Sequence, residues 1–233
     1  MSRRERLLEQ AGGVKEAGKS EAIEVLRKFN ECLKAKSRNS RQDRTVSLTL
    51  RVETSGKGSE ATVRGSVRLP KGSGKVTRVV AFCSDSQKDA ALGAGAIAAG
   101  GAELAERIKG GWTEFDVVVA SPDRMGVVGP LGRVLGPRGL MPSPKAGTVS
   151  SDVVDVIKQF VGGRVEFRAD DSGNVHVVIG KLSFTTSDLL ENLVAAYSSV
   201  VSAKPAQVKG QFVKRSLVTA TMLPGVVLTD AGV

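Results

Sequence analysis

Residues 76–84 read VTRVVAFCS and residues 115–122 read FDVVVASP. Both are short β-rich apolar runs without polar alternation, the pattern of a strand covered on both faces. Between them, the Ala-rich stretch 87–109 is expected as one helix, loosened by Gly93, Gly95, Gly100 and Gly101. Strand, helix, strand in that order predicts a right-handed parallel crossover. With MGVVGPLGRVLG (125–136) and SSDVVDVIKQFVGG (150–163) as further helical pieces, residues 71–162 read as a small Rossmann-like α/β domain.

On either side the periodicity changes. Ala22, Ile23, Leu26, Phe29 and Leu33 recur at the spacing of one buried helical face, with Ser20 as the expected cap. TVSLTLRV (45–52) alternates Val46, Leu48, Leu50 and Val52 with polar residues, a half-buried strand. The glycine-rich SGKGSE (55–60) then suggests that TVRGSVRLP (62–70) pairs back onto it as a hairpin. RVEFRA (164–169), the turn DDSGN and VHVVIGKLSF (175–184) predict a second hairpin, with Gly173 and Asn174 at positive φ. Thr186 or Ser187 should cap the helix DLLENLVAAYSSVVSA (188–203), which Lys204 and Pro205 end. A last strand, QFVKRSLVTATM (211–222), breaks at Leu223-Pro224-Gly225. Neither end of the chain is large enough for a core of its own. One discontinuous α+β domain from residues 1–70 and 163–233, with 71–162 inserted, is therefore the expected architecture.

The chain has 233 residues, and its 34 Lys+Arg against 24 Asp+Glu give a net charge of +10. A hydrophobic content of 41% excludes a disordered polyelectrolyte, and no apolar run approaches the ~20 residues of a membrane span. MSRRERLLEQ at the start contains acids and no apolar core, so it does not read as a secretory signal. Cys32 and Cys83 form no CxxC pair and are read as reduced core thiols. His176, the only histidine, sits in an alternating strand and is read as a plain strand residue. Neither cofactor nor metal is expected.

The positive charge points to a polyanionic partner. It is concentrated at the N-terminal end, where residues 1–70 carry +7 of the +10. Lys34, Lys36, Arg38, Arg41 and Arg44 form its densest part, relieved only by Asp43. This stretch is nearly free of apolar residues and reads as a solvated loop; a solvated face and a phosphate-contacting surface both fit it. Trp112 and Tyr197 lack the interleaved pattern of a base-stacking platform.

Residues 129–148, GPLGRVLGPRGLMPSPKAGT, are too broken by glycine and proline for a long helix and lack the frame of a P-loop. By itself the string reads as a rigid surface turn. Together with FDVVVASPD (115–123), RVEFRADDSGNVHVVIGKLSF (164–184), LLENLVAA (189–196), AKPAQVKG (203–210) and TATM (219–222), it resembles the ribosomal protein L-one family of the large-subunit exit-site stalk. The resemblance implies a two-domain protein whose domain from both termini binds the large-subunit rRNA of the mobile stalk. It also implies a place beside the exit-site tRNA, whose deacylated form the stalk helps release, and in bacterial members repression of the protein's own mRNA. The protein would sit as a monomer within the ribosome, in a bacterial cytoplasm or in a mitochondrion or plastid, with no membrane partner.

By the same resemblance, Thr221 and Met222 are expected to contact RNA, in a Thr-Met-Gly motif whose glycine is here Leu223. Arg168, Asp170 and Arg215 complete the expected RNA-binding set. The family's Asn-Asp-Lys turn becomes Ala169-Asp170-Asp171, exchanging a cation for an anion. The family's Lys-Phe pair after the first helix has no counterpart between Leu33 and Arg44, and the basic loop is expected to compensate through phosphate contacts. Two other readings remain: an RNA-binding regulator outside the ribosome, and an enzyme using Asp116, Asp123 or Asp152 near strand ends, for which no second catalytic partner stands at a meaningful spacing.

Overall fold

The computed structural model describes residues 16–34, 43–53, 63–170, 172–205, 208 and 210–229. The chain is a mixed α/β protein of two compact units, one formed by Met1–Gly74 with Val165–Val233 and the other by Lys75–Arg164. In chain order the first unit begins with β1 (Glu16–Ala17), α1 (Lys19–Lys34), β2 (Thr45–Val52) and β3 (Arg64–Arg68). The second holds β4 (Val79–Phe82), α2 (Lys88–Gly93), β5 (Ala98–Gly100), α3 (Ala102–Lys109), β6 (Val117–Ala120) and α4 (Val153–Val161). The chain then returns to the first unit with β7 (Arg164–Arg168), β8 (Asn174–Lys181), α5 (Thr186–Ser202), β9 (Val213–Ala220) and β10 (Val226–Leu228).

In the second unit, β4 lies between β5 and β6, parallel to both. All four β4 residues are buried, because each face of the strand has its own core. Val80 and Phe82 pack with Leu104, Ala105 and Ile108 of α3 and with Val128, Leu131 and Leu135. Val79 and Ala81 pack with Ala91 of α2 and with Val153, Ile157 and Phe160 of α4. The single helix expected over 87–109 is instead two helices separated by β5. Gly95 adopts φ +105 and Gly101 lies outside helical geometry, so the chain turns and adds a strand where glycine makes this cheap. Residues 129–148 form single helical turns joined by bends, with Leu131 and Leu135 turned into the core. Cys83 is buried and reduced, and loss of solvent raises its thiol pKa; the Cys32 side chain lies outside the described residues.

In the first unit a five-stranded sheet runs β1-β10-β9-β2-β8, with β2 antiparallel to both β8 and β9. Val46, Leu48, Leu50 and Val52 face inward, as the alternation predicts, onto a core with Ile23 and Leu26 of α1 and Leu189 and Leu193 of α5. Both expected hairpins are corrected. β3 does not pair with β2, and β7 does not run along β8; β3 and β7 pair with each other as a separate two-stranded sheet. Gly65 shows how closely they are packed, since a Cβ there would stand 2.7 Å from the Phe167 ring. Just after β7, the Ala169–Val175 bridge and the Asp170 amide, which donates to the Asn174 carbonyl (2.9 Å), join the chain to β8. In that turn Gly173 has φ +78, whereas Asn174 has no positive φ and opens β8.

The helix boundaries shift by a residue. α1 already includes Lys19, ahead of the expected Ser20 cap. α5 is capped by Thr185, whose hydroxyl accepts from the Asp188 amide, in place of Thr186 or Ser187. The last strand is shorter than expected, and after the Leu223-Pro224-Gly225 break the chain adds β10, which pairs with β9 and with β1.

Candidate RNA interface

The outward-pointing positions of β2, β8 and β9 share one sheet face. Thr49 stands opposite His176 on one side and Leu217 on the other; Ser47 stands opposite Val178 and Thr219. Ser47 Oγ and Thr219 Oγ1 are 2.9 Å apart, and Thr49 Oγ1 is 3.1 Å from His176 Nδ1. His176 is exposed, and Ser47, Thr49, Val178, Leu217 and Thr219 are half-buried. His176, a strand residue as expected, thus belongs to a row of hydroxyl and imidazole groups.

Cations occupy one end of this row. Arg51 is opposite both Arg215 and Asn174, and both arginines are exposed. Like charges facing each other across a ladder destabilise it, so the arrangement is favourable when an anion lies over it. Lys214, in the adjacent bulge, is ion-paired with Glu53.

About 20 Å away, six strand residues along β2, the other end is closed by the turn after β9. The Leu223 amide donates to the Ala220 carbonyl (2.9 Å), and the Thr221 amide to the Thr45 carbonyl (3.1 Å). Met222 has φ +67 and is 80% exposed. Left-handed backbone costs a side-chain-bearing residue roughly 1–2 kcal/mol, and here it projects a thioether into solvent. Leu223, where the family motif has glycine, turns its side chain partly into the unit's core. Arg44 donates from Nη1 to the Thr221 carbonyl (3.0 Å).

The remaining expected site residues are dispersed. Arg168 is exposed on β7, in the other sheet. The Asp170 carboxylate is engaged within its own turn, accepting from the amides of Ser172 and Asn174 (3.0 and 2.7 Å) and from the Asn174 side chain (3.1 Å). The Asn174 bonds, followed by that from Ser172, lower its pKa. Lys36, Arg38, Arg41 and the Lys34 side chain lie outside the described residues.

Ser47, Thr49, Arg51, His176 and Thr219 were not among the expected site residues. Ser47, Thr49 and Arg51 are the polar phase of TVSLTLRV, opposite its buried phase, whereas His176 and Thr219 belong to two later strands and join them only through strand pairing. The three carboxylates of the enzyme reading do not converge: Asp116 and Asp123 flank opposite ends of β6, and Asp152 stands just before α4 without a side-chain bond to its amides. Asp116 is committed to Lys75 Nζ (2.7 Å) and to the Arg78 amide and Nε (3.1 and 3.2 Å). Trp112 packs against Phe115 beneath the Arg107 guanidinium.

An open sheet face carrying hydroxyls, an imidazole and opposed arginines is the equipment of a binding protein for a polyanion. The chain belongs to the ribosomal protein L1p/L10e family, whose model matches residues 32–224. It is 48% identical over 184 residues to the large ribosomal subunit protein uL1 of Nocardioides sp., covering 79% of this chain and 77% of the relative. The uL1 protein of Thermobifida fusca is 46% identical over 184 residues, 79% of this chain and 78% of the relative. That of Clavibacter michiganensis is 44% identical over 207 residues, 89% of this chain and 87% of the relative. These relatives are ribosomal proteins, not enzymes.

Proposed function

We propose that this protein is a structural component of the large ribosomal subunit that binds the rRNA of the mobile stalk, with the open face of β2, β8 and β9 as its RNA surface. The observation that carries this reading is the facing, exposed pair Arg51 and Arg215 beside a row of hydroxyls on one sheet face. Structured RNA is recognised largely through backbone shape, phosphates and 2′-hydroxyls. Arginines supply phosphate neutralisation, Ser47, Thr49 and Thr219 supply partners for ribose hydroxyls, and Met222 supplies an apolar contact for a sugar or base. The basic segment with Lys34, Lys36, Arg38 and Arg41 adds phosphate contacts, and Arg168 extends the charge. The domain built from residues 1–70 and 163–233 carries these contacts; residues 71–162 are not the primary RNA surface.

From this position the protein assists release of deacylated tRNA at the exit site, and the same surface accepts a segment of its own mRNA that imitates the rRNA. The bacterial relatives favour a bacterial cytoplasmic ribosome over an organellar one. A salt titration of binding to a transcript of the stalk rRNA tests the interface. Arg51→Ala and Arg215→Ala should each reduce the slope of log K against log salt by about one unit. Absence of binding by the wild-type protein at low ionic strength would overturn the reading. Cosedimentation with large subunits in moderate salt separates a ribosomal from an extra-ribosomal role.

A further inference from the structure

The turn that presents Met222 has a backbone choice to make, and one side chain is placed to make it. Ala220 and Leu223 close a four-residue turn through the Ala220 carbonyl and the Leu223 amide. Thr221 and Met222 are its central residues, and only Met222 has positive φ. A positive φ at the third position defines a type II turn, which favours glycine or asparagine there. The type I alternative keeps the same closing hydrogen bond, but its central peptide is flipped and its third residue has negative φ. What separates the two is the direction in which the Thr221 carbonyl points.

That carbonyl is the one to which Arg44 Nη1 donates, at 3.0 Å. The Arg44 side chain is half-buried and, among the described residues, pairs with no carboxylate. Its own backbone is pinned, because the Arg44 carbonyl accepts from the Leu182 amide (2.9 Å). The next residue, Thr45, receives both the amide and the hydroxyl of Thr221 at its carbonyl (3.1 and 3.4 Å). The guanidinium therefore works from a fixed base on a peptide plane whose flip would turn its acceptor away. We propose that Arg44 is a positioning residue: by holding the Thr221 carbonyl it selects the type II turn and keeps the Met222 thioether directed outward for RNA. This rests on the reading of that face as an RNA surface, and it gives Arg44 a task other than neutralising a phosphate.

The test has one arm without RNA. In the free protein, NMR couplings at Met222 should report positive φ for the wild type and negative φ for Arg44→Ala. Arg44→Met, which keeps the aliphatic stem but has no donor, should behave as Arg44→Ala does and guards against a packing defect. The second arm measures affinity for the stalk rRNA transcript. Arg44→Ala and Met222→Ala should each weaken binding by about tenfold, the double variant should be no weaker than Met222→Ala alone, and Arg44→Ala should leave the salt slope unchanged. A Met222 φ that stays positive in both Arg44 variants overturns the proposal, as does additive loss accompanied by a slope reduced by about one unit. If the wild type fails to bind the transcript while φ responds to Arg44, the RNA reading falls and the turn assignment stands.

Discussion

Asn192 is fully buried in the middle of α5, an unusual place for an amide. Its Oδ1 accepts from the Lys71 amide (3.1 Å), and its Nδ2 donates to the carbonyls of Gly72 and Ile179 (3.0 and 2.8 Å). It therefore ties the segment after β3 and strand β8 to one helix. Asn192→Ala strands all three backbone groups and should lower unfolding free energy by about 3 kcal/mol, measured by urea denaturation. Asp116 makes a pH-dependent prediction. Partial burial alone would raise its pKa, but hydrogen bonds from Lys75 and from the Arg78 amide and guanidinium outweigh it, and the value falls to about 2 from 3.8. As pH falls the unfolded chain takes up this proton first, so the stabilisation is complete above about 3.8 and declines toward 2. Asp116→Asn should flatten the fall in urea midpoint across that window; an unchanged profile would show that other carboxylates govern acid unfolding.

At the scale of elements, the antiparallel pair β2 and β9 carries a like-charge cost that the proposed RNA contact would offset. Arg215→Thr removes the like-charge contact with Arg51 and should raise stability by about 0.5 kcal/mol while weakening RNA binding; calorimetry and filter binding measure the two effects. The cap of α5 is a purely structural counterpart, and Thr185→Ala should cost about 1 kcal/mol without altering the RNA salt slope. Elements were legible where one period dominates. Val46 to Val52 alternate because one face is buried, and α1 repeats at helical spacing because it covers that face. Strand partners were not legible: 62–70 follows 45–52 in sequence, yet β3 pairs with β7, nearly a hundred residues away in the chain. The Ala-rich stretch 87–109 has the pattern of one helix yet holds a strand between two helices, because alanine in a buried parallel strand and alanine in a helix look alike without tertiary context.

For the whole molecule, the two units differ in how they depend on chain continuity. Lys75–Arg164 is contiguous and includes its own three-stranded sheet with a core on each face. The other unit draws β2 from before this block and both of β2's sheet neighbours, β8 and β9, from after it. Residues 75–164 expressed alone should show dispersed amide NMR signals and one cooperative urea transition. Residues 1–164 should keep that transition while the first unit's segment stays unfolded, because Leu48 and Leu50 lose the strands and the α5 helix that bury them.

The sequence by itself determined the periodicities, the buried phase of each well-patterned strand, the basic character and the family, because these depend on residue type and local spacing alone. Only the tertiary structure decided which strands pair, that Ser47, Thr49, His176 and Thr219 share one face, that Arg215 confronts Arg51, and that Arg44 reaches the Thr221 carbonyl. Those contacts join residues more than a hundred positions apart. No local propensity encodes them; they arise when burial of the opposite faces of the same strands brings distant segments into register.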